Sequence, residues 1–77
     1  MSNNMADIIL HIDENTTHDK RELFVDSLLN LDGVKDANIT DKNPHLMLVR
    51  YNPIEINSTS LLVAASQNGL HAELIGL

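Results

Sequence analysis

The sequence predicts an α+β sandwich in which a four-stranded antiparallel sheet carries both helices on one face. Three observations lead there: four short segments bounded by polar or turn residues read as strands, Phe24, Leu28 and Leu31 switch to a helical period while a second capped segment opens at Asn57 or Ser58, and glycines or Asn-Pro punctuate the boundaries. The resulting order is βαββαβ.

Residues 7–12, Asp-Ile-Ile-Leu-His-Ile, are rich in β-branched side chains and run into the polar stretch Asp13 to Thr17, which reads as a strand and a loop. Beyond it Phe24, Leu28 and Leu31 fall on one helical face, with Lys20, Glu22 and Asp26 elsewhere on the wheel. Thr16 or Thr17 is suited to cap the start of that helix, and Gly33 to stop it. Residues 34–40 read as a second strand with Ala37 and Ile39 inward, residues 41–44 as a turn, and residues 45–51 as a third strand. Asn52-Pro53 ends that strand. A second helix opens at Asn57 or Ser58 and runs to Asn68, Gly69 stops it, and residues 70–75 close the sheet as a fourth strand. This is a ferredoxin-like arrangement in outline.

Seventy-seven residues suffice for one domain, 1–77 with its core at about 7–76, and leave little room for an enclosed enzyme cleft. Five Lys and Arg against 11 Asp and Glu give a formal charge of −6, a surface that repels phosphate backbones. Tyr51 and Phe24 are the only aromatic side chains, too few to stack bases, so no nucleic-acid partner is expected. No apolar run approaches the roughly 18–20 residues of a membrane span, and the first residues lack the basic and apolar regions of a secretory signal, so a cytoplasmic chain without membrane insertion is expected. Zero cysteine removes disulfides, thiolate ligands and thiol nucleophiles together.

The spacing of the punctuation carries a resemblance. Leu31-Asp32-Gly33-Val34, Tyr51-Asn52-Pro53 and Gly69-Leu70 with Ala72 are similar to the LPGV, YDP and GYxA landmarks of the heavy-metal-associated domain, the module of copper chaperones and of the cytosolic arms of metal-pumping ATPases. The register runs from residue 8 to 76, with Asp32, Asn52 and Leu70 as mild departures. That family holds metal in a loop reading MTCxxC. Counting back from Val34, the resemblance places Thr17 and Lys20 where the two cysteines would stand. A hydroxyl and an ammonium do not replace two soft thiolates, so Cu(I) transfer by this loop is not expected.

Asp13, Glu14, His18 and Asp19 lie close in sequence and supply donors suited to a divalent ion, although their spacing matches no recognised motif. The competing reading is that Asp19 and Glu22 complement the positive end of the first helix with His18 solvated beside them. Lys20 and Arg21 at the same helix start could receive an anion. Acylphosphatases share the topology and use an arginine near a similar helix start, but residues 13–19 lack their Gly-rich loop, and no enzymatic activity is expected. An ACT-like sensing domain has the same strand order, yet the first loop lacks its Asp-x-Pro-Gly pattern.

Alternation sends Ile8, Leu10 and Ile12 toward the helices and Ile9 and His11 to the opposite face. With Met47, Val49 and Tyr51 inward, as the resemblance to the heavy-metal-associated domain implies, Leu46, Leu48 and Arg50 point outward. In this topology the first and third strands are central, so Ile9, Leu46 and Leu48 would lie side by side, with Ile75 extending the patch and His11 and His45 near it. Such a face fits a protein partner or a second copy of the chain. The sequence therefore reads as a non-catalytic, heavy-metal-associated-like interaction or adaptor module needing no cofactor and contacting another protein through this face or through the Thr16 to Arg21 region. The alternative is a degenerate divalent-metal binder or metal-transport accessory protein using ligands near the first loop.

Overall fold

The computed structural model describes residues 5–75; residues 1–4, 76 and 77, which include both ends of the expected domain and the first residues read for a secretory signal, lie outside the described part. The elements are β1 (Ala6–Ile12), α1 (His18–Leu29), β2 (Val34–Ile39), β3 (Leu46–Tyr51), α2 (Ser58–Gln67) and β4 (Ala72–Ile75). They form one antiparallel sheet in the order β2-β3-β1-β4, so β1 and β3 are the central pair.

Alternation sorts the strand side chains as expected. Leu10 and Ile12 from β1, Ala37 from β2, and Met47, Val49 and Tyr51 from β3 are buried and meet Phe24 and Leu28 of α1 and Leu61, Ala64 and Ala65 of α2. Ile8 and Ile39 pack partly buried against this core. A register shift between Val34 and Asp36 marks an irregularity where β2 begins.

The helix ends differ in mechanism. At α2 the Gly69 N–H donates to the Ser66 carbonyl and the Leu70 N–H to the Ala65 carbonyl, the two bonds of a Schellman stop, with Leu70 buried beneath it. Leu70 is therefore spent on the cap, and β4 starts at Ala72 rather than at residue 70. The first helix ends at Leu29, capped by Asn30, well before Gly33. Leu31 thus packs on the core from beyond the helix, and Gly33 serves another purpose. Its φ of +96° and its carbonyl, which accepts from the Asn52 N–H at 2.7 Å, bring the start of β2 against the Ile56 loop, a backbone conformation that glycine adopts without steric cost. His45 precedes β3, where its carbonyl accepts the Ile12 N–H at 2.8 Å.

Candidate functional site

The first loop joins β1 to α1. Thr17, one of the two positions where the resemblance implies a cysteine, is the N-cap: its Oγ1 accepts the backbone N–H of Lys20, the other such position, at 3.1 Å. The side-chain oxygen there satisfies a helix-end donor. Asp19 lies in the first turn, where a carboxylate complements the helix dipole.

Arg21 ties this loop to the β2–β3 turn. Its guanidinium donates to the Thr16 carbonyl, to Thr16 Oγ1 at 3.1 Å and to Asp41 Oδ1 at 2.6 Å, and its side chain is only 11% exposed. Asp41 Oδ1 also accepts from His18 Nδ1 at 3.0 Å, while His18 Nε2 lies 3.5 Å from Glu22. The hydrogen bond from His18, reinforced by Arg21, lowers the Asp41 pKa, and the same bond raises that of His18. The guanidinium is thus committed to structure, and neither simple solvation nor anion capture describes Arg21. Sequence reasoning missed Asp41 because nothing local marks it as the partner of a residue in a distant loop.

The four proposed loop ligands disperse. His18 faces Asp41, Asp13 accepts from His11 at 3.2 Å, and the Glu14 carboxylate takes both the backbone N–H of His71, at 2.8 Å, and its ring Nδ1–H. That ring hydrogen bond lowers the Glu14 pKa and raises that of His71. Among the described residues, the His, Asp and Glu side chains close enough to share an ion are instead His11, Asp13 and Glu73.

The open face is assembled as alternation requires. Ile9 pairs with Leu48 on one side and Ile75 on the other, and Leu46 pairs with His11. Leu48, Leu46 and Ile75 are 47%, 42% and 41% exposed. Beside them a hollow of about 190 Å³ is lined by Ile9, Asn38, Thr40, Asn43, Leu46 and Leu48. Arg50 borders the strip and donates from Nε to Asp7 Oδ1 at 2.9 Å, which lowers the Asp7 pKa and raises that of Arg50. The His11 and His45 rings stack, 6.0 Å between centroids, at the other end.

This architecture recurs among solved structures. The N-terminal domain of a potential copper-translocating P-type ATPase from Bacillus subtilis superposes with a TM-score of 0.85 at 22% identity, over 94% of this chain and 89% of that one. The fold is that of the heavy-metal-associated domains. A putative copper-ion-binding protein from Bacillus anthracis matches with a TM-score of 0.84 at 14% identity, over 94% of this chain and 100% of that one. Oxidized MerP from Ralstonia metallidurans gives 0.82 at 13% identity, over 91% and 96% of the two chains. No family model matches the sequence, and no curated protein does. The heavy-metal-associated architecture is thus present in a chain with no cysteine. No helix among the described residues is long and apolar enough to cross a membrane.

Proposed function

We propose that this chain is a non-catalytic interaction module on a heavy-metal-associated scaffold, an adaptor that works in the cytoplasm and docks a protein partner or a second copy through its open sheet face. The strip of Ile9, Leu48 and Ile75 with adjacent Leu46 carries the reading: it crosses both central strands on the face that the helices leave uncovered. Structural neighbours include a protein described as a CopZ metallochaperone and a copper binding domain of the P-type ATPase HMA7. For this chain cysteine-based exchange has no ligands, because positions 17 and 20 carry a hydroxyl and an ammonium. The braced first loop fits a structural rather than an exchanging role: Thr17 caps α1 and Arg21 pins Thr16 to Asp41.

Light scattering across a concentration series tests self-docking. A dimer that Leu46→Asp or Leu48→Asp converts to monomer supports it, and a wild type monomeric at high concentration removes it. The partner version is tested by affinity capture from the native host extract: a partner retained by the wild type and lost with Leu48→Asp supports open-face docking, whereas equal retention by both contradicts it.

A further inference from the structure

His11, Asp13 and Glu73 converge at the edge of the open face, where β1 runs into the first loop. One donor atom from each lies within 4.8 Å of the other two. Backbone geometry sets two of the three relationships. His11 and Asp13 are two residues apart along the direction of β1, which turns their side chains to the same side, and Glu73 is the partner of His11 in the β1–β4 ladder.

Unlike the carboxylates that are tied to a basic partner, this group has little positive charge of its own. Asp7 has Arg50, Asp41 has Arg21, and Glu14 has the His71 ring and backbone N–H. Among the described residues, Asp13 is paired only with His11, and Glu73 forms no ion pair. Two carboxylates held this close repel each other, and a cation between them removes the repulsion; the formal charge of −6 adds to the attraction. The imidazole makes the donor set more selective than an acidic patch. His45 stacks on the His11 ring at an interplanar angle of 17°. The His45 Nδ1–H is itself held by the Ile12 carbonyl at 2.7 Å. A fixed ring therefore flanks the donor, as partners outside the coordination sphere orient a ligating histidine.

We propose that His11, Asp13 and Glu73 form a peripheral site for a borderline divalent cation of the Zn²⁺ class, separate from the Thr17–Lys20 loop. One nitrogen and two carboxylate oxygens suit such an ion, lack the sulfur that Cu(I) prefers, and are less suited than an all-oxygen set to Ca²⁺ or Mg²⁺. Tetrahedral bonds of about 2.1 Å put donor atoms roughly 3.4 Å apart. His11 Nδ1 and Asp13 Oδ1 are already at 3.2 Å. Bringing in Glu73 from within 4.8 Å takes at most about 1.4 Å of closure, within reach of a rotamer change on an exposed strand. For His11 to ligate through Nδ1 its ring proton moves to Nε2, which frees the Nδ1 lone pair for the ion, and water fills the remaining coordination. This site stands independently of the docking reading: a monomeric wild type leaves it untouched.

The test is a ZnCl₂ titration of the ¹⁵N-labelled chain in a non-chelating buffer, read by ring ¹H–¹⁵N correlations of the four histidines. The expected result is saturation at one equivalent with the His11 ring shifting first and furthest. Asp13→Asn and Glu73→Gln, both exposed and isosteric, should each raise Kd at least about tenfold while preserving the amide spectrum. Asp19→Asn in the first loop should leave Kd unchanged. The proposal is overturned by His18 or His71 responding first, by parallel unsaturated shifts of all four rings, or by no shift at all.

Discussion

Replacing Gly33 by alanine should cost much of this small domain's stability, and Gly69→Ala supplies the control. Both glycines have positive φ, +96° and +75°. Alanine at either position therefore carries a backbone penalty of about 1–2 kcal/mol. Only Gly33 is also crowded. A Cβ there would lie 2.8 Å from Ile56 Cγ2 and 2.9 Å from Glu55 Cβ, whereas a Cβ at Gly69 meets nothing within 4 Å. Glu55 Cβ is fixed by its own backbone and cannot swing aside, and the Gly33 carbonyl is anchored by the Asn52 N–H. Overpacking adds about 1–3 kcal/mol, which brings Gly33→Ala to about 2–5 kcal/mol against about 1–2 kcal/mol for Gly69→Ala. Urea unfolding followed by far-ultraviolet circular dichroism reads both, and with a slope of about 1 kcal/mol/M the excess appears as a midpoint about 1–3 M lower for Gly33→Ala. Equal losses in the two variants would refute the close-approach argument.

Thr17→Ala should cost about 1 kcal/mol through loss of the Lys20 N–H acceptor, measured in the same urea experiment, with Thr17→Ser close to wild type. The Glu14–His71 pair makes stability depend on pH. Glu14 is lowered from its ordinary 4.5, so its contribution is present above that pH and fades as pH falls through the folded value. His71 is raised from 6.5, so its contribution is full below 6.5 and fades as pH rises through the folded value. The pair therefore helps most between about pH 5 and 6. Urea midpoints at about pH 5.5 and 8 should show a wild-type advantage over Glu14→Gln that is larger at the lower pH, and an advantage independent of pH would contradict the pairing. Leu48→Asp should still fold, at a cost of about 1–2 kcal/mol, because a half-exposed leucine on a central strand gives up part of its packing against Ile9 and aspartate is disfavoured in strands. A loss above about 3 kcal/mol by thermal unfolding, the size expected of a core leucine, would contradict its placement outside the core.

Backbone-level features were legible because periodicity and punctuation encode them locally. Ile8, Leu10 and Ile12 alternate with Ile9 and His11, and that alternation divided the covered face from the open one as the structure does. Gly69 stops α2 as its position in the sequence indicates. Gly33 is needed for a close approach and not for the helix stop its position suggests, because a positive φ required by either looks the same in sequence. Side-chain partnerships were far less accessible. Arg21 with Asp41 and Glu14 with His71 span 20 and 57 residues, and they depend on how separate loops meet rather than on any local pattern. Acidic residues adjacent in the first loop consequently looked like one cluster, whereas Asp13, Glu14 and His18 each turn to a different partner. The pairing of His11 with Glu73 was more accessible in principle, since antiparallel register between the first and last strands places them opposite each other.

Cu(I) titration of the wild-type chain beside a Thr17→Cys/Lys20→Cys variant, under strict reduction and in competition with a chromophoric cuprous chelator, tests most directly that the scaffold persists without its soft-metal site. The wild type should leave the chelator complex intact, and the variant, with two thiolates restored at the start of α1, should withdraw one equivalent. Stoichiometric Cu(I) uptake by the wild type, or a folded double variant that takes none, would contradict the account.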